Sequence, residues 1–128
     1  DVNDSGCLVA DDQNQFDIVL SSLCLEDACL TFDTFKLTIK RLSDLLRPGG
    51  FIFLTHGRNQ TFYSIMGKRF FALPINEKSA HEALEEAGFV EIHTKGIDKP
   101  QDKFADADGF LVAYAYKPTV IDTISMNN

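Results

Sequence analysis

The chain has 128 residues, 45% of them hydrophobic, and a net charge of −7 from 12 basic and 19 acidic side chains. That is enough chain for one domain with a core, and too apolar a composition for a disordered or collagen-like segment. The acidic balance speaks against nucleic acid or an anionic membrane face as partner, and no run nears the roughly 20 apolar residues that cross a bilayer.

Cys7, Cys24 and Cys29 form no zinc pattern and cannot all pair, and no signal-peptide pattern is read, so a reducing, cytoplasmic setting is expected. The chain opens Asp1-Val2-Asn3 without an initiator methionine, so a piece of a longer protein is expected. Residues 3–15 are polar and turn-rich and read as a loop. Phe16 to Leu23, "FDIVLSSL", is compact, β-branched and largely apolar, as a strand covered on both faces would be. "CLEDAC" reads as a short connector.

From Phe32 the apolar residues fall at 32, 35, 39, 42 and 46, which is one helical stripe. Asp33 is expected as its N-cap, and Pro48 as its stop, because a proline pushes the residue before it out of the α region. Gly49 and Gly50 suit backbone angles that a side chain penalises. Phe51 to Thr55, "FIFLT", reads as the next buried strand. The aromatic-rich segment "QTFYSIMGKRFFALP", broken by Gly67, reads as a short hairpin or lid, and its Phe62, Tyr63, Phe70 and Phe71 suit either core or a substrate box.

"NEKSAHEALEEAG" is a second helix, capped by Asn76 and stopped by Gly88. "FVEIHT" and "GFLVAYAYK" are two further strands, separated by a loop-like acidic stretch that holds Asp106 and Asp108. Residues 118–128 show no firm pattern and are expected to fray as a flexible tail. Strands alternating with helices give an α/β fold with a mostly parallel sheet, and the last two strands, following one another without a helix, place an antiparallel strand at the end of that sheet.

Ligands of such sheets sit at the carboxyl ends of the strands. Two of those ends are Ser21-Ser22-Leu23 and Thr55-His56-Gly57, so His56 is the sharpest candidate by position. His81 and His93 lack the spacing of metal ligands, and Ser21 and Ser22 lack the glycine-flanked elbow of a hydrolase nucleophile. No Gly-rich phosphate loop or Walker motif occurs.

The segments "DIVLSSLCLEDAC", "LLRPGGFIF", "YSIMGKRFFALP", "EEAGF" and "GFLVAYAYK" together resemble the small-amine N-methyltransferases, the family of nicotinamide, phenylethanolamine and indolethylamine N-methyltransferases. The resemblance runs from Asp1 to about Lys117. It implies the C-terminal part of a Rossmann-like class I methyltransferase domain over residues 1–117, and S-adenosylmethionine as cofactor. The family's cap, its Gly-rich turn and its ribose-binding acidic residue precede the matched part and are not in this sequence. Without its first strands the Phe16–Leu23 strand would keep an unpaired edge and an uncovered apolar face.

By the same resemblance, Asp1 would accept from the adenine amino group, Val2 would offer a backbone N–H, and Ser22, flanked by Ser21 and Leu23, would line the cofactor. His56 falls where the nicotinamide enzyme has an aspartate, and Ala72 where it has a serine, which makes nicotinamide doubtful as substrate. Asp106 falls near the aspartate that holds the amine in the phenylethanolamine enzyme, which keeps an alkyl or arylalkyl amine in view. The implied chemistry is in-line attack of an amine nitrogen on a sulfonium methyl group, dependent mainly on positioning, with no single residue assigned as catalytic. The expected partner is therefore a small-molecule amine, and the protein a monomer. The other reading is a methyltransferase-like domain without catalysis, acting as an interaction or regulatory module.

Overall fold

The computed structural model describes residues 13–126. Asp1, Val2 and Cys7 therefore lie outside the described residues. Ten elements follow in order: β1 (Phe16–Ser22), α1 (Leu25–Ala28), α2 (Phe32–Leu45), β2 (Leu46–Arg58), β3 (Phe62–Ile65), β4 (Lys68–Phe71), α3 (Glu77–Glu86), β5 (Val90–Asp98), β6 (Gly109–Tyr116) and α4 (Val120–Met126).

The main sheet has the order β1-β2-β6-β5. β1 pairs with β2 in parallel, while β6 runs antiparallel to both β2 and β5. Three strands therefore point one way and the final strand opposes them. β6 does not sit at the end of the sheet as expected, but between β2 and β5. The crossover through α3 sets β5 one place beyond β2, and the chain returning from β5 without a helix fills the slot between them, which makes it antiparallel.

The apolar stripe of α2 buries Phe35, Ile39 and Leu42, and α3 buries Ala80, Ala83 and Leu84. They form one core cluster with Ile52, Leu54, Leu111, Ala113 and Ala115 of the sheet. Thr31, not Asp33, caps α2, its hydroxyl accepting from the Thr34 amide at 3.1 Å. Asp33 instead sits inside the first turn, where its charge still suits the helix dipole. Asn76 and Ser79 form a reciprocal capping box on α3, and Gly88 follows that helix at φ +93°.

β2 begins at Leu46, five residues before the expected start. Phe16 pairs with Leu46 and Ile18 with Phe51, so Pro48-Gly49-Gly50 bulge out of the β1–β2 ladder. On the other side, the Gly49 amide donates to the Lys117 carbonyl at 2.9 Å and the Lys117 amide to the Gly50 carbonyl at 2.8 Å. Gly49 has φ +81°, and a Cβ on Gly50 would lie 2.9 Å from the Arg47 carbonyl oxygen, so both positions require glycine.

Among the described residues β1 is an edge strand, and its two faces differ. Val19 packs on the core, whereas Ile18 and Leu20 point to the other face and are 63% and 68% exposed. A compact apolar run therefore marks apolar surface on both sides of β1, with only one side covered among the described residues. After β6, α4 forms where the sequence shows no firm pattern, opened by a reciprocal box in which Thr119 and Asp122 each bind the other's backbone or side chain.

Candidate functional site

The carboxyl ends of β1 and β2 lie side by side. Thr55 Oγ1 donates to Ser22 Oγ at 2.9 Å, and the Leu23 amide donates to the Thr55 carbonyl at 2.9 Å. The Ser22 hydroxyl keeps its own proton free to donate. Leu23 turns the chain away at φ +50° with its side chain half exposed, and α1 starts two residues later. A hydroxyl rim beside exposed apolar surface is thus set at the strand ends, where α/β sheets bind ligands.

The short α1 does more than connect. Glu26 is 2% exposed and His56 fully buried, and His56 Nδ1 lies 2.5 Å from Glu26 Oε2. Phe35 of α2 packs edge-on against the imidazole at 5.5 Å, and Leu111 of β6 is its neighbour across the ladder. His56 therefore does not project freely from the rim; side chains on β2 alternate, and the register that sends Ile52 and Leu54 into the core sends His56 after them. His56 Nε2 and Asp27 Oδ1 are buried and have no hydrogen-bond partner among the described residues. Burial, and next the charge of Glu26, push the Asp27 carboxyl up to about 6, against an opposing pull from His56.

The aromatic segment folds as the β3–β4 hairpin, turning at Met66 and Gly67, both with positive φ. Tyr63 and Phe70 stack across it at 5.3 Å. Asp106 clamps the start of this hairpin: one oxygen accepts from the Thr61 and Phe62 amides at 2.8 and 3.1 Å, and the other accepts from the Thr61 hydroxyl. Burial works to raise the Asp106 carboxyl, but these hydrogen bonds outweigh it and hold it below the usual carboxylate value. Ala72, fully buried, donates its amide to the Thr61 carbonyl at 3.0 Å, and the next amide, of Leu73, donates to the Glu26 carbonyl at 2.6 Å. The hairpin is thereby tied to Asp106 at its start and to α1 at its exit.

Of the expected residues, Ser21, Ser22 and Leu23 share the rim, His56 lies beneath it with Glu26, and Asp106 and Ala72 meet at Thr61. His81 pairs with Glu85 on the surface of α3, and His93 stacks on Tyr114. No group of three or more His, Cys, Asp or Glu able to hold a metal ion occurs among the described residues. Cys24 is exposed and Cys29 buried, its thiol donating to the Thr38 hydroxyl at 3.7 Å, and no described helix is long and apolar enough to cross a membrane.

Glu26, Asp27 and Arg58 escaped the sequence reading. Arg58 binds Asp108 at 2.7 Å and also Asp98, and Asn59 adds a bond to Asp108, so Asp108 ties the loop before β6 to the end of β2. The available signal for Glu26 was a carboxylate inside an apolar frame, Leu25 and Cys29, just past a strand end.

A model of the NNMT/PNMT/TEMT family matches residues 1–118. Human nicotinamide N-methyltransferase is 36% identical over 73 residues, 57% of this chain and 28% of that protein. Macaque (Macaca mulatta) phenylethanolamine N-methyltransferase is 27% identical over 104 residues, 79% of this chain and 37% of that protein. The chain thus spans roughly a third of the length of such relatives. Among solved structures, Burkholderia thailandensis 1,6-didemethyltoxoflavin-N1-methyltransferase, with S-adenosylhomocysteine bound, superposes with a TM-score of 0.64 at 22% identity, over 91% of this chain and 48% of that one.

Proposed function

Because this chain belongs to the NNMT/PNMT/TEMT family, we propose that the intact protein transfers a methyl group from S-adenosylmethionine to the nitrogen of a small amine. The observation that carries this reading is the family match over nearly the whole chain. The strand-end geometry supports it: Ser22 offers a hydroxyl donor for the polar part of the cofactor, and the exposed Leu23 side chain offers apolar surface for its remainder. The chemistry of these donors fits the group. Asp1 and Val2 are assigned to the adenine, and Ser21 and Leu23 to flanking contacts.

Bound S-adenosylmethionine supplies a sulfonium methyl group. This chain's part is to hold the amine in line with it and to exclude water, a positioning effect that can supply most of the rate. The substrate end is assigned to His56, Ala72 and Asp106. The Asp106 carboxylate already accepts from the Thr61 amide and hydroxyl and from the Phe62 amide, and its negative charge suits an ammonium group set against the hairpin the same residue holds. We further assign the protein to the cytoplasm as a monomer without a nucleic-acid partner, in line with its acidic charge and its three cysteines without a zinc pattern.

A second reading, a methyltransferase-like module without catalysis, is favoured by one observation: Asp106 already serves three backbone and side-chain donors. The deciding experiment is binding of labelled S-adenosylmethionine to the intact protein, followed by methyl transfer to a panel of alkyl, arylalkyl and pyridine amines. Binding with transfer to an alkyl or arylalkyl amine supports the enzyme. Binding without transfer moves the weight to the second reading, and absence of binding defeats the enzyme reading.

A further inference from the structure

We propose that His56 is the proton acceptor for an alkylammonium substrate and that Glu26 is its positioning residue, an inference that rests on the methyl-transfer reading above. The pair Glu26–His56 is enclosed, with Nδ1 2.5 Å from a carboxylate oxygen. A carboxylate oxygen beside Nδ1 favours the hydrogen there, the tautomer in which the neutral ring presents Nε2 as a lone pair. Nε2 is buried and finds no partner among the described residues. A buried polar atom left without a partner is costly, and natural proteins leave few of them outside functional sites.

The surroundings say what would satisfy it. From α1 the groups near the ring are Glu26 and Asp27, and Cys29 at the end of that helix is turned to Thr38. From α2 comes the Phe35 ring, from β6 Leu111, and from the hairpin exit the Leu73 amide, which is spent on the Glu26 carbonyl. None of these donates to Nε2. Glu26 and Asp27 place two carboxylates beside one imidazole, a setting that suits an N–H donor bearing positive charge.

That setting selects a substrate class. An alkylammonium nitrogen has no lone pair until it loses a proton. The N–H bond breaks with its electron pair left on nitrogen, the proton bonds to Nε2, and the resulting imidazolium is stabilised by Glu26. The nitrogen can then attack the methyl group, and the proton passes to solvent once the methylated amine has left. A pyridine nitrogen has a free pair, no proton to give and no charge, so it gains nothing from this arrangement. His56 is fully buried, so the amine reaches Nε2 only where surrounding side chains give way.

The test is nitrogen NMR of the intact protein with labelled histidine, near neutral pH, titrated with phenylethylamine and separately with nicotinamide. The expected result is Nδ1 protonated and Nε2 bare in the free protein, with Nε2 becoming protonated or hydrogen-bonded on phenylethylamine alone. A free protein with Nε2 protonated and Nδ1 bare, or phenylethylamine binding that leaves Nε2 unchanged, overturns the proposal. Kinetics give a second readout: His56→Gln should lower kcat about 100-fold or more and abolish the acid limb of its pH profile, and Glu26→Gln should lower kcat with a smaller change in amine KM. An unaltered pH profile in His56→Gln overturns the proposal too. If the protein methylates amines while Nε2 stays silent, this inference fails and the methyl-transfer reading stands. If Nε2 responds but no amine is methylated, the methyl-transfer reading fails and amine recognition at His56 stands.

Discussion

Lys117 reaches back 71 positions to place its ammonium 2.7 Å from the Leu46 carbonyl oxygen, and it also donates to the Ser43 carbonyl at 2.8 Å. The last carbonyls of a helix have no intrahelical partners, and a cation is well placed on them. Here the cation comes from the end of β6, so one side chain closes α2 and fixes the start of β2. Lys117→Met keeps the aliphatic stem and removes those bonds. Its expected cost is about 1–2 kcal/mol in urea denaturation. Burial, the leading influence, lowers the Lys117 ammonium pKa, with Asp44 opposing. The folded state then releases this proton before the unfolded state does, so stability rises with pH between the two values. Lys117→Met should flatten that alkaline rise, and a rise of the same slope in the variant would remove Lys117 as its source.

Gly50→Ala tests the bulge. The added methyl would meet the Arg47 carbonyl at 2.9 Å and the Leu46 side chain at 3.0 Å. Both belong to the same strand start, which cannot step aside without breaking the Leu46–Phe16 pairing. A loss of about 1–3 kcal/mol is expected. Gly67→Ala should cost less, because open space surrounds that position and only its positive φ resists.

Asp27 and Asp106 should respond to acid in opposite senses. The Asp27 carboxyl is raised from 3.8 to about 6, so between those values the folded state holds a proton the unfolded state has lost, and stability falls as pH rises through the window. Asp27→Asn should remove that fall and leave the chain more stable at pH 7. Asp106 is held down by its hydrogen bonds, so its contribution is present above its unfolded value and is lost as pH drops through the lower folded one. Asp106→Asn should speed hydrogen exchange at the Thr61 and Phe62 amides at neutral pH. Unchanged exchange there would show that the hairpin does not depend on this carboxylate.

What the sequence made legible was local. Asn76, Ser79 and Gly88 mark α3 because a cap needs only its own turn, and the stripe at Phe32, Phe35, Ile39 and Leu42 marks α2 because its period is set by one helix. The start of β2 was hidden because Pro48-Gly49-Gly50 has turn chemistry, while the pairings that make it strand come from Phe16 and Lys117, far along the chain. α4 was hidden because β-branched residues hold a weak helical pattern, and the Thr119–Asp122 box is its one strong mark. His56 was legible as a strand-end residue. That it lies under the rim was not, because Glu26 stands 30 positions away and neither spacing nor composition links the two.

The bare face of β1 gives the last test. Leu54 and Leu20 are both sheet leucines, yet Leu54 is fully buried beneath the helices and Leu20 is 68% exposed on the opposite face. Truncating a buried leucine removes its transfer free energy and leaves a cavity, whereas truncating an exposed one removes little contact. Leu54→Ala is expected to cost about 2–5 kcal/mol, and Leu20→Ala to stay within about 0.5 kcal/mol, both by urea denaturation of this chain. Repeated in the intact protein, the Leu54 cost should persist. A Leu20 cost that climbs toward the Leu54 value there would mean that this face of β1 is covered by protein beyond the described residues. Equal small costs in both settings would mean that Ile18 and Leu20 remain in solvent, and that the strand-end rim beside them is open on that side.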